Sequence, residues 1–323
     1  MAENVNGNAI AGALLGLHAL TSLHPGSGTA LGTVDLPVQR ERHTQWPTIP
    51  GSALKGVLRD ACRESLAIAE GLDRKDVDRQ NTQLRAVFGP DSDTAGDFAG
   101  ALSLSDARLL AFPVRSLAGV FAYVTCPAVL RRLRRDLQML SWEVSWHEPR
   151  IPDGDWALVT GPGCTSLVDG RSLVLEEFLL RKAEGSCQEP ADWIATHILP
   201  AASVHDSTRE HFQSNLVVLS DPQFTHFARY ATEVSARIRL DPDTKTVHDG
   251  ALFYEEFLPP ETLFYSVALA RDASAERARA LGAVDIVRFI AERLPVVLQV
   301  GANQTTGKGF CFTRWTLPPR MGD

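Results

Sequence analysis

The chain has 323 residues, 44% of them hydrophobic and 22% charged, which is enough for a sizeable core and too apolar for a disordered protein. Its formal net charge of −7 argues against a globally basic nucleic-acid binder, so any contact with nucleic acid has to use local basic patches. Its five cysteines include no C-x-x-C pair, which argues against a disulfide framework or zinc site and fits a reducing cytoplasm.

In chain order, residues 9–23, "AIAGALLGLHALTSL", form a continuous apolar run that predicts a first strand. The run is too short to span a bilayer and follows no basic segment, so no membrane anchor is expected. A glycine- and proline-rich loop, 24–50, leads to "GSALKGVLRDACRESLAIAEG". There Leu54, Val57, Leu58, Ala61 and Leu66 keep helical spacing, with Ser52 as the expected N-cap and Gly71 as the stop. Residues 72–99 read as a polar surface insertion, 100–112 and 119–126 as strands, and 127–140 as a helix with proline in its first turn. This β-α-β-β-α order is most of a split, ferredoxin-like unit.

Residues 141–195 show no clear period and read as an insertion. "NLVVLSD" and "PQFTHFARYATEV" predict a strand and a helix, and residues 235–270 predict two strands flanking a polar tip, a hairpin-like projection. Residues 274–294 predict an amphipathic helix, and 295–317 a strand, a glycine-rich loop (301–310) and a strand. The second half thus reads as a second, diverged ferredoxin-like unit.

Five places can carry chemistry. "PGSALKG" offers the free N–H groups of a helix start and Lys55 to an anion, although a capped helix with an exposed lysine fits equally and no P-loop is present. "GANQTTGKGF" can present backbone N–H groups to a phosphodiester, or be a plain turn. Arg131, Arg132, Arg134 and Arg135 form a basic stripe or a solvated helix face. Glu255 and Glu256 are neighbours in a predicted strand, so they point to opposite faces. Asp35 and His24 can hold a metal through water or move a proton, as transesterification by the 2′-hydroxyl of RNA requires. Beside Arg40, Arg42 and His43, however, Asp35 also reads as an ordinary salt-bridge partner.

"LHALTSLHPGSGTALGTVDLPVQRERHTQWPTIPGSALKGVLRDA" resembles the N-terminal signature of the RAMP proteins of type III-B CRISPR systems, and among them the family of the backbone (fourth) subunit of the Cmr effector complex. "FGPDSDTAGDFAGALSLSDARLLAFPVRSLAGVFAYVTCP", "TKTVHDGALFYEEFLPPETLFY" and "QVGANQTTGKGF" agree with it. The resemblance implies one RAMP-type domain over 1–323: an α+β fold with a ferredoxin-like (RRM-like) palm, a protruding β-hairpin thumb at 235–258 and helical insertions.

It also implies copies of the chain stacked in a filament with other Cmr-type subunits along a CRISPR RNA. Complementary target RNA is cut at regular intervals, supported by a loosely held divalent metal, Mg or Mn. Within the catalytic loop 24–50, Asp35 matches the cleaving aspartate, as proton acceptor or metal holder, with His24 and Glu255 (or Glu256) nearby. Arg40, Arg42, Ser52, Lys55, Arg59, Gly307, Lys308 and Gly309 are implied RNA contacts. Asp241, Thr244, Lys245, Thr246, Val247 and His248 match the thumb tip. Two alternatives are a guide-binding scaffold without chemistry and an enzyme that processes precursor RNA.

Overall fold

The structure, a computed structural model, describes residues 2–3, 9–29, 34–90, 98–238, 252–273 and 281–319. The first part contains β1 (Ala2–Glu3), β2 (Ala9–Ala19), β3 (Thr48–Ile49), α1 (Gly51–Glu70), α2 (Arg74–Gln80), α3 (Thr82–Phe88), β4 (Leu102–Leu104) and β5 (Ala107–Arg115). The middle holds β6 (Phe121–Thr125), α4 (Pro127–Met139), β7 (Trp156–Val159), β8 (Leu167–Val168), β9 (Ser172–Leu175), β10 (Phe178–Lys182), α5 (Gln188–His197), α6 (Asp206–Asn215), β11 (Leu216–Leu219) and α7 (Asp221–Tyr230). The last part holds β12 (Glu233–Arg237), β13 (Phe253–Phe257), β14 (Leu263–Arg271), α8 (Ala283–Ala291), β15 (Val297–Gln299) and β16 (Phe310–Thr316).

The strands β16-β2-β14-β5 lie side by side and all pair antiparallel. With α1 after β2 and α8 after β14, this is one ferredoxin-like unit in spatial order 4-1-3-2. The two-unit expectation is therefore corrected. The halves of the sequence share a single palm, and everything from β6 to β13 is inserted between its second and third strands. Strand β2 is central because both neighbours pair with it along its length, and Leu14, Leu15 and Leu17 are fully buried. Helix α1 buries Leu54, Leu58, Cys62 and Leu66, a four-residue repeat that keeps one face on the core.

Residues 141–195 are not irregular. They carry β7, β8, β9, β10 and α5, and extend the sheet beyond β6 in the order β11-β7-β10-β9-β8. Likewise 72–99 begins with two short helices. Strands β12 and β13, at either end of the expected thumb segment, form a separate two-stranded antiparallel ribbon. The expected tip residues Asp241, Thr244, Lys245, Thr246, Val247 and His248 lie outside the described residues. Among the described residues no helix is long and apolar enough to cross a membrane.

Candidate active site

An open cleft of about 640 Å³ forms where the segments singled out in the sequence converge. His24, Gly26 and Leu36 come from the loop after β2, Pro50 from the start of α1, Glu255 from β13 and Asn303 from the glycine-rich loop. Backbone hydrogen bonds hold these segments together. Leu23 and Leu258 exchange N–H···O bonds, Leu36 N donates to Tyr254 O at 3.0 Å, Glu256 N donates to Leu36 O at 3.0 Å, and Ala302 N donates to His24 O at 3.0 Å.

Asp35 sits half-buried beside this cleft. Its Oδ2 accepts the backbone N–H of Tyr254 at 2.7 Å, which fixes the carboxylate against β13. Among the described residues no cation lies within ion-pair distance of it, so the salt bridge with the neighbouring arginines does not form.

Glu255 and Glu256 face opposite ways and do different work. Buried Glu255 turns toward the cleft, where it accepts from Asn303 Nδ2, pairs with Arg237 Nε at 3.2 Å and lies 3.8 Å from His24 Nε2. The Nδ1 of buried His24 is 2.6 Å from the carbonyl of Glu256. A carbonyl only accepts, so Nδ1 carries a proton, and a neutral ring leaves Nε2 as an acceptor at the cleft wall. Arg237 and Asn303 were missed in the sequence reading as partners of this carboxylate. Asn303 carried a signal, since it lies in the flagged loop, whereas nothing local marks Arg237.

Glu256 is a clamp. Its carboxylate accepts from Arg40 Nη2 at 2.6 Å, Thr232 Oγ1 at 2.8 Å and the backbone N–H of Val38 at 3.0 Å. Arg40 also donates to the carbonyls of Gln45 and Ala228 at 2.8 and 2.9 Å. The guanidinium of Arg40, an expected RNA contact, is bonded inside the protein. Arg42, by contrast, is exposed.

The start of α1 also differs from its reading. Pro50, not Ser52, is the N-cap, and the carboxylate of Asp106 accepts from Gly51 N at 2.7 Å. Ser52 stands exposed in the first turn, where its N–H and that of Ala53 have no intrahelical acceptor. Lys55 bonds the carbonyl of Leu102 at 3.0 Å, and burial followed by the charges of Arg59 and Arg271 lowers its pKa. Arg59 is engaged by Asp78 and the carbonyl of Pro90. Of these two expected RNA contacts, Arg59 is thus paired with a carboxylate and Lys55 with a carbonyl only.

The glycine-rich loop packs onto the cleft rather than swinging free. Gly309 N donates to Ser22 O, and Lys308 Nζ lies 5.0 Å from the centroid of the Phe257 ring. Gly307 has open space around it. In the basic stripe, Arg131 pairs with Glu148, Arg132 with Glu41 and Arg135 with Asp136, so most of its charge is neutralised internally. Burial alone works to raise the pKa of Glu41, but its bonds to Arg132 and Thr44 prevail and lower it.

Among the described residues no three His, Cys, Asp or Glu side chains gather as metal donors. Asp35 alone does not make a protein-held cage, so the residues do not fit a resident metal held by side chains only.

A sequence profile of the RAMP superfamily matches residues 17–312. The "CRISPR system Cmr endoribonuclease Cmr4" of Pyrococcus furiosus is 38% identical over 299 residues, which cover 92% of this chain and 93% of that one. The chain belongs to the RAMP superfamily and, within it, to the Cmr4 family. The crystal structure of oligomeric Cmr4 from Pyrococcus furiosus superposes on this RAMP protein with a TM-score of 0.69 at 28% identity, covering 97% of this chain and 100% of the other. A subunit in the cryo-EM structure of the type III-B Cmr-beta complex bound to cognate target RNA shares the fold, with a TM-score of 0.67 at 23% identity, covering 94% and 96% of the two chains.

Proposed function

We propose that this RAMP protein is the backbone subunit of a CRISPR RNA-guided effector complex and the endoribonuclease that cuts complementary target RNA within it. Membership of the Cmr4 family supports the reading, and the related Pyrococcus furiosus protein is named an endoribonuclease. The observation that carries the site assignment is the fixed carboxylate of Asp35, held by Tyr254 N beside a cleft shared by His24, Glu255, the start of α1 and the glycine-rich loop.

The substrate brings its own nucleophile, the ribose 2′-hydroxyl. A-form geometry misaligns that oxygen for in-line attack, and a splayed nucleotide corrects the alignment. As the oxygen bonds to phosphorus, Asp35 takes its proton. The bond to the 5′-oxygen breaks, that oxygen takes a proton from water, and a 2′,3′-cyclic phosphate remains. Buried Glu255, anchored by Arg237 and Asn303, holds the wall that carries His24 Nε2.

A loosely held divalent cation, Mg or Mn, would neutralise phosphate charge, resting on Asp35 and the RNA rather than on a protein cage. Arg42, Ser52, Gly307, Lys308 and Gly309 are the proposed contacts to the guide backbone. Stacking of copies into a filament, association with other Cmr-type subunits and a cytoplasmic location belong to the same proposal. The five free cysteines, all buried, fit a reducing compartment.

The test is the complex assembled with one guide. Complementary RNA should yield regularly spaced products and non-complementary RNA none. Cleavage of precursor RNA by the isolated chain, with no target products from the complex, would instead make it a processing enzyme.

A further inference from the structure

The insertion carries a second cleft, at the opposite end of the sheet from β15 and β16. It is open, about 670 Å³ in volume, and lined by Trp156, Arg171, Ser172, Arg181, Lys182 and Glu184 among others. Its floor is a cross-strand row. Arg181 on β10 lies opposite Trp156 on β7 and opposite Ser172 on β9, so the three side chains share one face. The Arg181 guanidinium carbon is 5.8 Å from the centroid of the Trp156 ring. Arg171 leaves the tight β8–β9 turn beside Ser172, and its carbonyl accepts from Lys182 N at 2.8 Å. Lys182 follows Arg181 on β10 and starts on the opposite face, that of buried Leu180, and it lines the cleft at the strand end.

The charge state of this cleft sets it apart. At Arg131, Arg132 and Arg135 of α4, and at Arg40, Arg59 and Arg63, carboxylates of the protein take up the arginines. Among the described residues Arg171, Arg181 and Lys182 have no carboxylate oxygen within 4.0 Å, and only Glu184 opposes them in the lining. Arg171 and Arg181 are exposed, while Lys182 and Trp156 are half-buried. Three unneutralised cations lining one cleft, with Arg181 against the Trp156 ring, in a protein of net charge −7, make a local anion site with a stacking surface.

We propose that this cleft binds single-stranded RNA, with phosphates on Arg171, Arg181 and Lys182 and a base against Trp156. Cations that track a backbone beside an aromatic face are the recognition chemistry of unpaired nucleic acid. An acidic protein surface would satisfy the cations but leave the open volume and the indole face unused. The inference rests on the RNA-guided reading only for which strands are at hand, a guide or a target leaving the palm.

The experiment measures binding of the full chain to fluorescein-labelled oligouridine, which cannot pair, by anisotropy across a salt series. Arg171→Ala/Arg181→Ala/Lys182→Ala should raise Kd about tenfold and reduce the salt slope by about 2, since each lost phosphate contact on a single strand removes about 0.7. Arg171→Lys/Arg181→Lys should keep the slope, and Trp156→Leu should weaken binding with the slope unchanged. These two variants keep the test decisive if the triple variant fails to fold.

In the assembled complex, 4-thiouridine placed in the guide or in the target should crosslink to the insertion from one strand, which names the source. Unchanged Kd and slope in the triple variant would overturn the proposal. So would normal RNA binding with loss of another subunit, which would make the cleft a protein-docking face. Regular cleavage of complementary target by a variant that has lost oligouridine binding would separate this cleft from the active site.

Discussion

Replacing Arg40 by alanine discriminates between the two roles its sequence context offered. In the structure its guanidinium holds the carboxylate of Glu256 and two backbone carbonyls, and the ion pair is nearly shielded, with side-chain exposures of 14% and 8%. Arg40→Ala leaves a buried carboxylate with only Thr232 and Val38 N as donors. Breaking one partner of a buried pair costs about 3–5 kcal/mol, and the residual exposure puts this case at about 3 kcal/mol. That corresponds to a loss of more than about a hundredfold in the folding equilibrium. Urea unfolding of the full chain reads it directly. Arg40→Ala/Glu256→Ala should recover part of the loss, because the stranded charge is gone. A change below about 0.5 kcal/mol, together with a clear fall in guide affinity, would refute the clamp and restore Arg40 as an RNA contact.

The cap of α1 gives a second contrast: Asp106→Ala should cost about 1 kcal/mol and Ser52→Ala less than about 0.5 kcal/mol, measured by the same unfolding curves. In the glycine-rich loop, Gly301→Ala places a methyl carbon 2.4 Å from His24 O at a φ of +84°, and should cost well over the ~1 kcal/mol of backbone strain expected for Gly307→Ala, which has open space. Glu261 offers a pH test. Its burial works to raise the pKa, but the bonds to His18 and Tyr123 prevail and lower it from the ordinary 4.5. A depressed carboxyl contributes stability that is whole above pH 4.5 and is lost as pH falls through the lower folded value. Glu261→Gln should therefore flatten the acid limb of stability below about pH 4.5 relative to the parent chain, as followed by thermal melts.

Local features were legible where local forces decide them. Helix α1 showed itself through the spacing of Leu54, Val57, Leu58, Ala61 and Leu66, and β2 through an unbroken apolar run. The single palm was not legible, because its second and third strands, β5 and β14, pair across some hundred and fifty residues of intervening chain. No periodicity encodes such a pairing. The β8–β9 hairpin did have a signal, "VDGR", whose Asp169 and Gly170 adopt the left-handed φ values of a tight turn.

At the candidate site, four segments singled out in the sequence converge on one cleft. What composition could not tell was which cations are free. Arg40 finds Glu256 and Arg59 finds Asp78, while Arg42, two residues from Arg40, remains exposed. Those outcomes depend on partners distant in sequence. The helix cap followed the same pattern, since Asp106 displaced Ser52 through a contact 55 residues away.

Single-turnover cleavage of complementary target RNA by complex assembled with Asp35→Asn bears most directly on the catalytic assignment. The substitution keeps an oxygen able to accept from Tyr254 N and removes the base. The predicted result is a fall of about a hundredfold or more in rate at every cleavage position, with guide and target affinities unchanged. Cleavage at the parent rate would contradict it and move the chemistry away from Asp35.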